Sequence, residues 1–451
     1  MKTKLLSLAG CMGMLPALAG AANDNPNIMV ILVDDLGYGD LSCQGVANDI
    51  RTPNIDKLLN EGIRCTNFHS NCPVSSPSRA SLLTGRFPDL VGVPGVIRTH
   101  KEDSWGYLSG DAVLLPQMLK RQNYHSAIVG KWHLGLESPN TPRERGFDYF
   151  HGFLGDMMDD YYTHLRFDNN YMYENETLIE PKGHATELFS DWAINYVTGR
   201  KAEKDPFFLY LAYNAPHTPV QPPVEWLEKV KKREPGITEL RAKLVALIEH
   251  LDDNIGRVYK ALEANGQLEN TLIIFASDNG GQADAGANNN PHRGAKQNMY
   301  EGGICVPAGF HWKGTIKPVV SDNFMMLSDI FPTLCSLANI PVAHEIDGLN
   351  VLPVLLGEKM VTDDRLVYWV RREGNIRYQG RAYYSARYGN FKLLQNTPWE
   401  PYQFFDLSKD PKEENPISNP SDDETYKQLF RGLMEHIRVS GMVPWQSEKY
   451  K

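Results

Sequence analysis

At 451 residues the chain has the length of two or three domains, or of one large domain with an appendage. With 42% hydrophobic and 22% charged residues it has the composition of a globular protein that can bury a large core. Its formal charge of −9 argues against a nucleic-acid partner, which calls for a basic face, but leaves room for an anionic small substrate at a local basic site.

The first residues, MKTKLLSLAGCMGMLPALAGAAN, read as an export signal over 1–22: Lys2 and Lys4, an apolar stretch, then small residues suited to cleavage near Ala19 to Ala22. The segment LAGC, ending at Cys11, resembles a bacterial lipoprotein box, but the apolar run before it is short, and simple cleavage is the favoured reading. No later run approaches the ~20 apolar residues of a transmembrane span. Of the six cysteines, removal of Cys11 with the signal leaves five, at 43, 65, 72, 305 and 335. They form no CxxC pair and no dense spacing, so neither a zinc site nor a disulfide scaffold is indicated, although an exported protein could form one or two bridges.

The mature chain opens with a continuous β-branched run, Ile28 to Val33, as expected of a strand buried on both faces. The Gly-rich LGYGD follows. Then RTPNIDKLLNEG predicts a helix with Thr52 as N-cap, Pro53 in its first turn and Gly62 as its stop. Further strands are predicted at Ala127 to Val129, at Phe207 to Tyr213 and at 271–277. A long helix before the last of these carries Leu244, Leu247, Leu251, Ile255, Val258 and Leu262 on one face, with Gly266 at its end. Strands alternating with helices predict an α/β fold with a large, mainly parallel sheet sandwiched by helices. From about Asp347 the pattern changes to aromatic-rich alternation, YYSARYGNFKLLQ and YQFFDLS, and then a final helix, DETYKQLFRGLMEHIR. The expected organisation is a catalytic domain over 23–346 and a smaller α+β subdomain with an antiparallel sheet over 347–451.

Polar residues stand directly after the predicted strands. Asp34 and Asp35 follow the first, Lys131 and His133 the second, Asn214 and His217 the third, Asp278 and Asn279 the fourth. Ligands of open α/β sheets bind at the carboxyl ends of the strands, so these groups could converge although they are distant in sequence. Each alone has a bland reading as a cap, a turn or a satisfied polar residue. Four at equivalent places argue for a site. Asp34, Asp35, Asp278 and Asn279 supply three carboxylates and an amide oxygen, a hard set suited to Ca²⁺ or Mg²⁺ rather than zinc. Arg79, Lys131 and Lys296, with His133 and His217, could surround a tetrahedral anion beside such a metal.

The stretch CPVSSPSRASLLTGRFP, from Cys72 to Pro88, resembles the signature of the formylglycine-dependent sulfatases, which belong to the alkaline-phosphatase-like superfamily: Cys or Ser, any residue, Pro, any residue, Arg, then Leu-Thr-Gly. Cys72 does not fit that register, because Val74 and Ser76 stand where Pro and Arg are required; Ser75 fits throughout, with Pro77 and Arg79. PNIMVILVDDLGYGD, GKWHLG, NAPHTP, SDNGG and RGAKQNMYEGG resemble the family's other motifs in the family's order, and DGLNVLPVLLG and ARYGNFKLL its C-terminal part. Cys305 departs from the pattern, standing where an arginine is common.

The resemblance implies a serine-type bacterial enzyme. Ser75 would be oxidised to formylglycine by a maturation enzyme before export to the periplasm. The aldehyde hydrate would attack sulfur, with Asp34, Asp35, Asp278 and Asn279 binding Ca²⁺ together with residue 75. It further implies that Arg79 and Lys131 hold the hydrate, that His217 and Lys296 contact the sulfate and the leaving oxygen with His217 as proton donor, and that His133 helps to expel sulfate. The implied substrate is a sulfated glycan. Arg98, His100, Trp105, Asp159, Asp160, His164, Arg371 and Arg372 are candidate sugar contacts outside the family motifs. The rival readings are a phosphomonoester or phosphonate hydrolase of the same superfamily and a non-catalytic glycan-binding homologue.

Overall fold

The computed structural model describes residues 25–374 and 380–441; the proposed signal at 1–22, Cys11 included, lies outside the described residues. In chain order the elements that build the site are β1 (Asn27–Val33), α1 (Pro53–Asn60), β2 (Ile63–Cys65), α2 (Ser75–Thr84), β3 (His125–Lys131), β4 (Tyr149–Phe153), α3 (Ala185–Gly199), β5 (Phe207–Ala212), α4 (Glu239–Ala264), β6 (Thr271–Ser277) and β7 (Ala308–His311). A ten-stranded sheet runs from Val319–Ser321 through β2, β7, β6, β1, β5, β3 and β4 to the short strands Met172–Glu174 and Thr177–Leu178. The five strands from β6 to β4 are parallel. β7 pairs antiparallel with both β6 and β2, so the sheet is mixed at its flanks.

Strand alternation divides the core between two layers. Ile28, Val30 and Leu32 face one side, with Ala80, Leu82 and Leu83 of α2. Met29, Ile31 and Val33 face the other, with Ile55, Leu58 and Leu59 of α1 and the expected leucine stripe of α4. Residues buried on both faces explain why β1 reads as an unbroken apolar run. The first turn of α1 is capped differently from the expectation. The Thr52 hydroxyl donates to Asp56 Oδ1 (2.8 Å), and the orphan N–H groups of Asn54 and Ile55 are taken by Asp252 of α4, Ile55 N at 2.7 Å from Oδ1. Gly62 is required for close packing, since a Cβ there would lie 2.1 Å from the Phe310 carbonyl of β7.

The C-terminal region forms a second sheet, β8 (Leu366–Arg372), β9 (Ala382–Tyr388), β10 (Phe391–Gln395) and β11 (Gln403–Asp406), antiparallel in sequence order. One face buries Ala386, Leu393 and Phe404 under Leu429 and Leu433 of α5 (Glu424–Ser440). The other places Val367, Trp369 and Phe405 against Phe87, Met299 and Ile304 of the larger layer, and Trp369 Nε1 donates to the Ser70 carbonyl at 2.7 Å. The five described cysteines are all free thiols. Among the described residues no helix is long and apolar enough to cross a membrane.

Candidate active site

Register brings the predicted polar groups together. Val33 pairs with Ser277, Leu32 with Ala212, and Ala212 with Gly130, so β1, β6, β5 and β3 end level with one another. The residues just beyond those ends are Asp34 and Asp35, Asp278 and Asn279, the 214–217 loop, and His133, with Lys131 the last residue of β3. Helix α2 points its first residue, Ser75, at the same place. Ser75 Oγ donates to Asp34 Oδ1 at 3.0 Å and lies 3.4 Å from Asn279 Oδ1. One turn along, Arg79 Nη2 donates to Asp278 Oδ2 at 2.7 Å, lies 3.6 Å from Asp34 Oδ2, and its Nη1 donates to the Lys131 carbonyl. Cys72, by contrast, is sealed: its thiol faces the Val370 carbonyl at 3.5 Å, and burial pushes its pKa up, which removes it as a nucleophile.

Charge at the site is paired throughout. Lys131 Nζ donates to Asp34 Oδ2 at 2.5 Å, and Lys296 Nζ donates to Asp35 Oδ2 at 2.6 Å. Asp35 Oδ1 accepts from Asn279 Nδ2 at 2.7 Å, and the Asp35 N–H reaches Asp278 Oδ1 at 3.2 Å. Burial pushes the Asp34 carboxyl up, but Lys131, His217, Arg79 and Lys296 together outweigh it and hold the group well below the usual carboxylate range. Burial and the Asp34 charge push Asp278 up to about 7. Arg79 and Lys131 thus act on Asp34 and Asp278, while the hydrogen bonds of the Ser75 hydroxyl go to Asp34 and Asn279.

The two histidines are held in defined tautomers. His133 Nε2 donates to the Ile97 carbonyl at 3.0 Å, leaving the buried Nδ1 as an acceptor without a hydrogen-bond partner. Burial, then the charges of Lys131 and Arg79, keep this imidazole neutral. His217 Nδ1 donates to the Thr218 carbonyl at 2.7 Å, so Nε2 accepts from Lys296 Nζ at 3.1 Å. In this arrangement Lys296 carries the shared proton and His217 receives it, the reverse of a resting proton donor. Asp35 (φ 66°) and His133 (φ 59°) both occupy the left-handed region, a strain of order 1–3 kcal/mol each that the surrounding bonds hold in place.

The donor set fits a hard dication. Oxygens of Asp34 and Asn279 converge on the Ser75 hydroxyl, ligand-type atoms of Asp34, Asp35 and His217 lie within 4.8 Å of one another, and Asp278 Oδ1 accepts from the Asp35 N–H at 3.2 Å. Both nitrogens of His217 are engaged by Thr218 and Lys296, so the available ligands are oxygens, the preference of Ca²⁺ or Mg²⁺. The second cluster with ligand-type chemistry, His69, Glu301 and Cys305, offers one carboxylate, an imidazole and a thiol in place of an all-oxygen set, and Lys392 Nζ (2.7 Å) and Arg387 Nη1 (3.7 Å) sit on that carboxylate. At Cys305, where the sequence departs from the family pattern, the cations therefore come from the C-terminal sheet.

A cleft of about 190 Å³ opens onto Ser75, His133, His217 and Lys296. Its outer wall includes Arg98 and Arg371, both anticipated from sequence, and Arg166 and Asp156, which were not; no periodicity or motif marks these two. The remaining sugar-contact candidates do not line this cleft. Asp160 Oδ1 accepts from the N–H groups of Tyr162 and Thr163, His164 Nε2 bonds the Gly183 carbonyl, and Asp159 binds Arg166 at 2.6 Å. His100 stacks on Phe167, and the Trp105 backbone packs against Gly374. Arg372 alternates to the face opposite Arg371 and lies 3.3 Å from Ser440 Oγ.

Comparison with known proteins agrees with this geometry. The Sulfatase family pattern matches residues 26–340, and that of the C-terminal region of N-sulphoglucosamine sulphohydrolase matches residues 294–440. The N-acetylgalactosamine-6-sulfatase of Mus musculus is 30% identical over 502 residues, spanning 99% of this chain and 91% of its own. The crystal structure of Ps i-CgsB in complex with k-i-k-neocarrahexaose superposes with a TM-score of 0.84 at 30% identity, covering 95% of this chain and 96% of the other. That of PsFucS1 sulfatase from Pseudoalteromonas sp. does so with a TM-score of 0.74 at 26% identity, covering 94% and 92%. Whole-chain matches to sulfatases in sequence and in fold, with the serine signature at the mouth of the parallel sheet, make the chain a member of the sulfatase family and a sulfuric ester hydrolase.

Proposed function

We propose that the protein removes O-sulfate from a sulfated carbohydrate, using formylglycine made from Ser75 and a bound Ca²⁺, with Mg²⁺ as the alternative ion. The observation that carries this reading is the Ser75 hydroxyl at the floor of a cleft, 3.0 Å from Asp34 and 3.4 Å from Asn279. The carbohydrate is supported by the relatives, one named N-acetylgalactosamine-6-sulfatase and one seen in complex with k-i-k-neocarrahexaose.

Asp34, Asp35, Asp278 and Asn279 would hold the dication, which would supply Lewis acidity to the reaction. The aldehyde hydrate at position 75 would supply a geminal pair of hydroxyls: one bonds sulfur as the bond from sulfur to the sugar oxygen breaks, and loss of the other's proton then turns it into the carbonyl as the C–O bond to the sulfated oxygen breaks, releasing sulfate and leaving the aldehyde for water to rehydrate. Lys131 and Arg79 keep Asp34 ionised, and Asp34 Oδ1 orients the oxygen on residue 75. His133 Nδ1, neutral and unpartnered, receives the proton lost from that residue when sulfate leaves. Lys296 and His217 share one proton and deliver it to the departing sugar oxygen. The carboxylates of Asp34, Asp35 and Asp278 match the cations of Arg79, Lys131 and Lys296 one for one, so a dication leaves the pocket net positive, as a sulfate monoester and an ionising nucleophile require.

Maturation by a formylglycine-generating enzyme before export to the periplasm completes the proposal, and cell fractionation of the native host checks the compartment. Mass spectrometry of the peptide containing Ser75 from that host is expected to show a residue two hydrogens lighter than serine. An unmodified serine in fully active protein overturns the mechanism. A panel of sulfated sugars, with an aryl sulfate and an aryl phosphate alongside, tests the substrate class by sulfate or phosphate release.

A further inference from the structure

His217 stands on a tight turn, and a group outside every motif of the sequence holds that turn. The His217 N–H donates to the Asn214 carbonyl at 3.0 Å, which closes residues 214–217 on themselves. On one side the Asp34 N–H donates to the Ala215 carbonyl at 3.1 Å and ties the turn to the end of β1. On the other side stands Tyr161. Its hydroxyl lies 2.8 Å from the His217 carbonyl and 3.1 Å from the Asn214 carbonyl, so a single O–H bridges the first and last residues of the turn. We propose that Tyr161 is a positioning residue for the reaction: by holding the His217 carbonyl it keeps the imidazole within proton-transfer distance of the departing sugar oxygen. The proposal rests on the sulfatase reading of the Ser75 cleft.

Tyr161 is itself fixed from several directions. Its ring is fully buried, packed in the same layer as Met158, Met172 and Ala215. Its N–H donates to Gln221 Oε1 at 2.8 Å, and its carbonyl accepts from the Ala185 N–H at 2.9 Å. Gln221 Nε2 donates to Asp160 Oδ2 at 2.8 Å, and the Gln221 carbonyl accepts from His184 Nε2 at 3.0 Å. Residue 161 therefore grips the front of the 214–221 loop through its side chain and the rear through its backbone. Burial, then the charges of Asp34 and Asp35, push the phenol well above its ordinary pKa, so the hydroxyl remains a donor. The grip matters because His217 is aimed by bonds in series. Nδ1 donates to the Thr218 carbonyl at 2.7 Å, while Nε2 faces Lys296 Nζ at 3.1 Å and lies 3.6 Å from Asp35 Oδ2. All of these follow the backbone at 217 and 218. A general acid works within about 2.6–3.2 Å of the atom it protonates, and a misplacement of about 1 Å can cost on the order of 10²-fold in rate.

Tyr161→Phe removes the hydroxyl and nothing else. The full-length, formylglycine-bearing protein is assayed for sulfate release from N-acetylgalactosamine 6-sulfate, galactose 4-sulfate and sulfated neocarratetraose as wild type, Tyr161→Phe, His217→Ala and the double variant, with rates taken per folded molecule. Tyr161→Phe is expected to lower kcat about 10–10²-fold and to leave KM within about twofold of wild type. Once His217 is alanine, the same substitution should add less than about twofold, because residue 161 acts through that imidazole. If Tyr161→Phe does not fold, Gln221→Leu, which frees the Tyr161 N–H and leaves the hydroxyl in place, is read in the same cycle for a loss of at least about threefold. A kcat within about twofold of wild type overturns this inference, as does a loss of equal size in both backgrounds, which would make Tyr161 a structural residue alone. Either outcome leaves the sulfatase reading standing. Absence of sulfate release from every sugar by the wild-type protein defeats that reading, and this inference with it.

Discussion

The three carboxylates around Ser75 and the two around Lys392 are all buried, and in both places cations match them one for one. Asp34, Asp35 and Asp278 face Arg79, Lys131 and Lys296; Glu301 and Glu413 face Lys392 and Arg387. The difference lies in access. Lys392 Nζ is spent on Glu301 Oε1 (2.7 Å) and Glu413 Oε1 (2.8 Å), His69 Nε2 bonds Glu301 Oε2 (2.7 Å), and His69, Lys392 and Glu413 are each 0% exposed. The other cluster opens through Ser75, His133, His217 and Lys296 onto a cleft. Buried charge therefore marks a site of chemistry only where a substrate can reach it. The sealed cluster instead holds the chain in place. The Glu301 N–H donates to Glu413 Oε2 at 2.7 Å, and Arg293 donates to the Glu413 carbonyl, which anchors both ends of the loop bearing Lys296.

This contrast can be broken experimentally. Ser75→Ala removes the proposed nucleophile and should lower kcat on the order of 10⁶-fold. Unfolding in urea should stay close to wild type, because the side chain contributes only its bonds to Asp34 and Asn279. His217→Ala should cost about 10²–10⁴ in kcat, the range of a lost general acid. An effect confined to KM would remove His217 from proton transfer. In the sealed cluster Lys392→Met leaves Glu301 and Glu413 short of a partner, and breaking a buried pair in this way costs about 3–5 kcal/mol. Urea unfolding measures that loss, while activity per folded molecule should stay within a few-fold of wild type. A collapse of activity at full stability would mean that the two clusters are not separable.

Burial lowers His151, His184, His250 and His292 to about 4, against an ordinary value of 6.5. The native state keeps these rings neutral and the unfolded state protonates them, so their contribution to stability is fully present above pH 6.5 and is lost between pH 6.5 and 4. Asp40 and Asp252, raised by burial to about 6, take up protons in the native state over the same range and act with the opposite sign. NMR titration of the ring C–H signals therefore checks the histidines directly, and midpoints near 6.5 in the folded protein contradict their burial.

Much of this was legible in the sequence, for identifiable reasons. An apolar run such as Ile28 to Val33 marks a strand buried on both faces, and parallel pairing then forces the residues after Val33, Ala212, Ser277 and Gly130 to the same edge. What escaped were contacts that depend on tertiary approach. Thr52 stands where an N-cap belongs, yet Asp252, far along the chain, takes the orphan N–H groups. Arg166 and Asp156 reach the cleft from a segment with no period. The family motifs point to His217 as the holder of the proton it shares with Lys296, but a tautomer is set here by the Thr218 carbonyl, and no motif records that bond. Arg371 and Arg372 look equivalent in sequence, and only the pleat of β8 separates them.

The smallest expected effect gives the sharpest test of how the C-terminal sheet serves the site. Asn396 Oδ1 accepts from the buried Met299 N–H at 2.6 Å, within the loop that carries Lys296. Asn396→Ala leaves that donor unpaired, a cost of about 1–3 kcal/mol. The loop keeps other anchors: Lys296 N–H to the Gly281 carbonyl, Gln297 N–H to the Pro73 carbonyl, and the Gln297 carbonyl to Arg371. With one of several ties removed, kcat/KM should fall only a few-fold, and Asn396→Asp, which keeps an acceptor oxygen, should restore it. If stability falls and kcat/KM does not, the sheet anchors the loop without setting the position of Lys296. If both fall and both recover with aspartate, the sealed region of the molecule sets the geometry of the open one.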